Sequence, residues 1–490
     1  MLNILENFVK NRKKLFFFLI FIISFLVISF GINETGETWD EIPYYNAAKQ
    51  YAGSIRHLRA GRENWNANKE HPPVAKYVYS LASVFEMRKD GENYTGGRVA
   101  SALMLSASIA FAFLFATELF GAAVGLFTGI ILTLTPSFIG YGRILGMDSP
   151  TTLMFMLIAI AFYYFAKSDA KPKDYVFPII IFSLGIATRY NIVLSGLFLI
   201  AAVLLFAKWK FNLKKWFSLF LFPICGLIIF YLIWPYLWSD PLGGIEKSVG
   251  HWGQVKEWYF GVANATLPNS YFVTYFWYMT PLVMLVLGAI GLVVKPFDKK
   301  KIYILVLLLV PFINSIVGIK QGGIRYLLFI FIPLSILSGI GFTFLLKKAK
   351  NIYLQVLLIL LLIGYMAYAV LSYYPYYIDY YNEIMGGAKG DYQKQALQLG
   401  WWGEGSKRTV DYLNNNARAG ATVFNNMQPR HTLNDMRTDL VLVQEDENPD
   451  FIIFNTQWDW ASEYRIPDGY SIVHQEKVAG APIITILEKD

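Results

Sequence analysis

Three short stretches and two lone arginines hold residues whose types and spacing could do chemistry. Thr38-Trp39-Asp40-Glu41 puts two carboxylates side by side. Adjacent carboxylates repel, and partial burial raises their pKa further. Such a pair suits a catalytic base next to a group that binds substrate or a metal. It equally suits a helix start, with Thr38 as cap and the acids in the first turn, where the helix dipole favours them. Glu70-His71-Pro72-Pro73-Val74-Ala75-Lys76 follows. Its proline pair fixes two φ angles and forces an extended approach to the next helix. That would hold His71 and Lys76 at set positions, or simply make a rigid turn. Arg143-Ile144-Leu145-Gly146-Met147-Asp148-Ser149-Pro150 offers a third carboxylate. Asp148 could cap the helix that Pro150 opens, or face Asp40 across a cavity and share with it a metal or a hydroxyl. Arg189 and Arg325 each sit at the edge of an apolar run. An arginine there snorkels to water, or clamps a phosphate with two hydrogen bonds.

The elements that must position these residues are apolar. Of the 490 residues 55% are hydrophobic, 17% aromatic and only 16% charged, against roughly 25% charged in soluble domains. Disordered, collagen-like and simple soluble chains are excluded. A single cysteine, Cys225, allows no intramolecular disulfide and no CxxC zinc site. Spans need about 20 mostly apolar residues. Windows of that size give eleven candidates: 14–32, 98–118, 122–141, 150–166, 175–190, 192–207, 216–236, 272–294, 302–319, 326–346 and 352–373. The fifth and sixth are short, and a re-entrant hairpin is the alternative to two crossings. Lysine and arginine clusters precede the first run and follow the fourth, sixth, eighth and tenth. With eleven crossings all of them fall on one side, the cytoplasmic one, with the N-terminus. No small-residue cleavage pattern follows the first run, so it reads as a span and not a signal peptide.

The expected fold is thus an all-α polytopic bundle of about eleven transmembrane helices. Residues 1–374 form the membrane domain, with outside loops at 33–97 and 237–271, and residues 375–490 form a small extracytoplasmic α/β domain. From Ile378 onward there are 17 acidic and 10 basic residues, a net of −7, within a chain of net +8. The basic balance therefore belongs to the membrane part and signals topology; nucleic acid is not an expected partner. In the tail, Glu404–Asn415 reads as a helix. Thr422–Asn425, Leu440–Gln444 and Phe451–Asn455 read as strands, and a terminal hairpin turns around Ala479-Gly480-Ala481-Pro482.

These motifs, in this order, resemble the integral-membrane glycosyltransferases of the C-type fold, in particular the protein O-mannosyltransferase and aminoarabinose-transferase superfamily. Asp40-Glu41 is similar to its acidic pair in the first outside loop. His71-Pro72-Pro73-Val74-Ala75-Lys76 is similar to its His-Pro-Pro-Leu-x-Lys segment, and Asp148 to a carboxylate opening its fourth span. Arg325-Tyr326-Leu327, Tyr374-Pro375-Tyr376-Tyr377 and Trp402-Gly403-Glu404-Gly405 resemble later segments. Arg189 stands where many relatives carry lysine, and Trp401-Trp402 replaces a more usual Asp-Trp.

The resemblance implies inverting transfer of a sugar, mannose or a similar hexose, from a polyprenyl-phosphate carrier in the bilayer to an extracytoplasmic hydroxyl. The acceptor would be a protein, a glycolipid or an envelope polymer, and the membrane a prokaryotic plasma membrane. Asp40, Glu41 and Asp148 are the catalytic candidates, with Asp40 as base. His71, Lys76, Arg143, Arg189 and Arg325 are the substrate-binding candidates. No cofactor is required; a divalent cation on Asp40 and Asp148 fits their oxygen donors without being demanded by them. No Gly-rich loop follows a strand, which disfavours a nucleotide-sugar donor. A transporter or flippase for a lipid-linked sugar is the alternative, since charged groups near a membrane also mark transport paths.

Overall fold

A computed structural model describes residues 2–83, 94–250, 268–313, 322–427, 433, 435–456 and 466–490. Parts of both expected outside loops (84–93 and 251–267) and the end of the 302–319 window lie outside the described residues.

The chain is an integral membrane protein, mostly helical, with one small sheet near its C-terminus. Among the described residues, five helices are long and apolar enough to cross a bilayer: Thr95–Phe120, Asp148–Lys167, Leu213–Leu232, Arg325–Lys348 and Ile352–Ser372. Two bent pairs bring the number to seven: Ala122–Thr133 with Pro136–Gly142, turned by 64°, and Tyr271–Met279 with Leu282–Val293, turned by 106°. The structure therefore does not give the expected count of about eleven. The difference lies in windows 14–32, 175–190, 192–207 and 302–319, whose described helices are shorter, while proline bends two spans that are counted. Pro136 and Pro281 lie at the two bends, where a missing N–H and a ring clash stop the hydrogen-bond ladder. Other windows hold helices too short to span alone, such as Pro172–Ile186 and Gly196–Phe206; Lys13–Ser29 has 17 residues.

The enclosed centre of the bundle is the helix Arg325–Lys348, 89% buried in its apolar window, whereas Leu213–Leu232 and Ile352–Ser372 are only 17% and 22% buried. The outer two leave leucine, isoleucine and phenylalanine side chains exposed, which suits lipid as their solvent. The central helix packs against Leu282–Val293 through glycines. A Cβ at Gly291 would collide with the Leu337 carbonyl, and one at Gly341 with the Leu287 carbonyl. Only the absence of side chains lets the two backbones lie so close.

After Ile352–Ser372 a tyrosine-rich connection leads to the helix Ser406–Asn416 and five strands: β1 (Thr422–Asn425), β2 (Val441–Leu442), β3 (Phe451–Asn455), β4 (Tyr470–Val478) and β5 (Ala481–Lys489). Their order is β2-β1-β3-β5-β4. The β1 pairings with β2 and β3 are parallel, and β5 runs antiparallel to both β3 and β4. Val410 and Leu413 of the helix pack with Val423, Ile453, Ile484 and Ile486 as a separate small core. The helix and strands fall close to where alternation and turn residues place them.

Candidate active site

Asp40 and Glu41 start the helix Glu41–Arg56, and the fold sends their side chains to different partners. Glu41 is fully buried. Its carboxylate accepts two hydrogen bonds from Arg98, Nε at 2.7 Å and Nη2 at 2.5 Å. It also accepts the backbone N–H groups of Thr38 at 3.0 Å and Leu145 at 3.2 Å. With every oxygen engaged, Glu41 locks the loop to the helix Thr95–Phe120. Asp40 points the other way and pairs with Arg325 Nη2.

From Arg325 the charges alternate. Arg325 Nε lies 3.6 Å from Asp148 Oδ2, and Asp148 Oδ1 accepts from Arg189 Nη1 at 3.2 Å. The row reads Asp40, Arg325, Asp148, Arg189. Asp148 occupies the first turn of Asp148–Lys167, and Arg325 begins the central helix. Arg189 follows the end of Pro172–Ile186 in extended backbone. Both guanidiniums lie over the Tyr326 ring, at 4.5 Å for Arg189 and 5.2 Å for Arg325. Three side chains of the row are 2–8% exposed, while Asp40 is 26% exposed and forms its open end. Arg325 Nε has no hydrogen-bond partner among the described residues.

The other predicted side chains have different surroundings. Lys76 is fully buried, and its ammonium donates to the carbonyls of His71 and Asn68, both at 2.8 Å, and of Ala67 at 3.4 Å. It also lies over the rings of Tyr51 and Trp234. Burial pushes its pKa down to about 7, with the Glu70 charge opposing. Lys76 thus ties up the loop before its own helix and makes no ion pair with the carboxylates. The His71 ring stacks on Tyr44, 5.6 Å between centroids. Burial, then the Asp40 charge, pushes the Tyr44 phenol well above its usual range. Arg143 donates to the carbonyls of Phe30, Ile28 and Pro375 and lies over Tyr377. It joins the end of the first apolar helix to the tail and stands apart from the row.

Two contributors escaped the sequence reading. Arg98 sat at the edge of an apolar window; its signal was a lone arginine in the first turn of a long apolar helix. Trp402 carries the second: its ring lies 4.4 Å from the Arg325 guanidinium. Beneath it, Asp379 and Glu404 are both fully buried. Burial and the facing Glu404 charge push the Asp379 carboxyl well up, and burial raises Glu404 too. As for a metal, Arg325 stands between Asp40 and Asp148. Among the described residues no three His, Cys, Asp or Glu side chains gather into a cation site.

A bundle of bent helices with a buried row of charges and a small sheet following it has counterparts of known structure. ArnT from Cupriavidus metallidurans bound to undecaprenyl phosphate superposes with a TM-score of 0.51 at 14% identity, over 96% of this chain and 97% of that one. The chain has the C-type glycosyltransferase fold. The apo oligosaccharyltransferase of Archaeoglobus fulgidus shares that fold at a TM-score of 0.50 and 12% identity, over 89% of this chain and 65% of its own. Residues 70–238 match the family of dolichyl-phosphate-mannose-protein mannosyltransferases. That stretch holds His71, Lys76, Arg143, Asp148 and Arg189, and ends before Arg325. No curated protein matches the sequence.

Proposed function

We propose that this protein is a membrane glycosyltransferase that takes a sugar, mannose or a similar hexose, from a polyprenyl-phosphate carrier. It delivers that sugar, with inversion, to a hydroxyl on the outer face of the membrane. Residues 1–374 would carry the reaction and residues 375–490 would form the outer domain. The observation that carries this reading is the row of alternating charges with Asp40 at its open end. The family match and the undecaprenyl phosphate bound by ArnT support the choice of donor.

The acceptor hydroxyl attacks the anomeric carbon, Asp40 takes its proton, and the carbon–oxygen bond to phosphate breaks with the electron pair leaving on the phosphate. General-base catalysis of this kind contributes roughly 10²–10⁴-fold. Arg325 and Arg189 neutralise the charge that grows on the leaving phosphate, in a site where water is scarce and charge interactions are strong. The Nε of Arg325, which makes no hydrogen bond among the described residues and lies 3.6 Å from Asp148, would donate to that anion. When phosphate shares Arg325, Asp40 loses part of its counter-charge and becomes the better base. Asp148 keeps both arginines aligned between turnovers, and Glu41 fixes Asp40 through the loop. The scheme needs no metal, because the two guanidiniums supply the positive charge.

The test is sugar release from labelled polyprenyl-phosphate mannose, and a panel of other polyprenyl-phosphate sugars, by the purified protein in nanodiscs. Label should pass to an added acceptor or appear as free sugar, and Asp40→Asn should lower the rate by about two to four orders of magnitude. Wild-type turnover in Asp40→Asn removes Asp40 from the chemistry. Relocation of the intact lipid-linked sugar without cleavage would favour transport, which neither the fold nor the family match supports.

A further inference from the structure

The Gly400–Gly405 segment of the tail lies directly on the charge row, and no step above uses it. Trp402 is 1% exposed. Its ring faces the Arg325 guanidinium at 4.4 Å, and Trp401, stacked on it with ring centroids 5.1 Å apart and planes within 12°, has its own ring 6.0 Å from the same guanidinium. The Trp402 backbone is held as firmly. Its N–H donates to Glu404 at 2.9 Å, and its carbonyl accepts from the N–H of Trp39, the neighbour of Asp40, at 3.0 Å. Gly405 N–H donates to the Thr35 carbonyl at 2.8 Å, and Glu37 N–H to the Ser406 hydroxyl at 3.0 Å. Gly400 N–H donates to Asp379 at 2.9 Å. Gly403 and Gly405 take left-handed φ values of 94° and 95°, which lets so short a segment turn twice. One tail segment thus touches both ends of the Asp40–Arg325 pair, the base through backbone and the arginine through a ring face.

We infer that Trp402 is a positioning residue: it holds the Arg325 guanidinium in the plane that meets Asp40 and Asp148, and so makes the outer tail a working part of the membrane site. A face-on indole attracts the guanidinium and bars the out-of-row rotamers. The inference rests on the proposed reaction only for its effect on rate, since the placement of Arg325 can be read without turnover.

The experiment compares wild type, Trp402→Leu and Trp402→Phe as full-length protein in nanodiscs, each checked for an unchanged thermal unfolding curve. Arg325 modification by phenylglyoxal is followed by mass spectrometry, and transfer from undecaprenyl-phosphate mannose and related sugars is followed in parallel. In Trp402→Leu, Arg325 should label several-fold faster, and kcat should fall roughly tenfold with less change in KM, since a misplaced charge costs most where charge grows. Trp402→Phe, which keeps a ring face, should recover most of both. Should the leucine variant not fold, Trp402→Met takes its place as the variant without a ring face: labelling faster than wild type supports the inference, and wild-type labelling overturns it. Wild-type labelling and turnover in folded Trp402→Leu overturn it, as does a folded phenylalanine variant as impaired as the leucine one. Faster labelling with no transfer from any donor, wild type included, upholds the positioning and sinks the transferase reading instead.

Discussion

Two sets of buried cations lie at the same end of this bundle, and they differ in what they face. Lys76 and Arg143 meet backbone carbonyls and aromatic rings. Arg189 and Arg325 meet carboxylates and a tyrosine face. A carbonyl cannot move away without unfolding its segment, so a cation tied to carbonyls is a fastening. A carboxylate can be displaced by another anion of similar geometry, so a cation tied to carboxylates remains available. The same contrast separates Asp40 from Glu41. One is partly open with a single partner described; the other is closed on all sides by Arg98 and two backbone donors.

The sharpest way to break that contrast is to remove a cation of the second set. Arg325→Ala should cut transfer by roughly 10²–10³-fold, the usual cost of losing one preorganised charge stabiliser, and a rate series over donor concentration should show the loss in donor use. A loss confined to acceptor affinity would contradict the phosphate role. Glu41→Gln should act on the fold: it leaves Arg98 buried without its counter-charge, at a cost of about 3–5 kcal/mol, visible in thermal unfolding. Activity per folded molecule should survive far better than in Asp40→Asn. Lys76→Met should be milder, about 1–3 kcal/mol from carbonyls left without donors, and should impair turnover less than Arg325→Ala. A turnover loss equal to that of Arg325→Ala would move Lys76 from the first set to the second.

The smallest effect concerns pH. The folded-state carboxyls of Asp379 and Glu404 are raised by burial and, for Asp379, by its partner's charge. A raised acid binds its proton more tightly in the folded protein, so this contribution is full below the ordinary carboxylate range of about 4 and is lost as pH climbs through the raised folded value. Thermal stability should therefore decline toward alkaline pH, and Glu404→Gln should flatten that decline. An unchanged slope would show that the burial of this pair does not set it.

Much of this arrangement was legible in the sequence, and the remainder was not for identifiable reasons. Asp40, Asp148, Arg189 and Arg325 stood out as charges that topology does not use, and the structure brings those four into one row. Their pairing was hidden because each comes from a different helix, and no spacing rule joins residues 40 and 325. Hydropathy windows found the apolar runs, but an average over 20 residues hides the bends at Pro136 and Pro281 and the breaks that leave Pro172–Ile186 and Gly196–Phe206 short. Asp40 was the expected base, but the burial of Glu41 was hidden, because it depends on Arg98, far along the chain. Lys76 lay in the right motif, yet its reach ends at the carbonyls of its own loop. The tail strands were easier, because alternation and turn residues are local signals.

The glycine contact between Leu282–Val293 and the central helix bears on this site from a distance. Gly291 and Gly341 leave the two backbones no slack, and the central helix continues from there to Arg325 at its opposite end. Arg325 stands on the 3₁₀ turn, bent at Leu327, that opens this closely packed helix, while Asp40 hangs from a loop braced by Arg98 on one flank and by the tail on the other. Alignment between base and arginine therefore depends on both mounts. Sequence drift in the C-terminal tail can retune the site, whereas a single methyl group at Gly341, buried deep in the bundle, would throw it out of true.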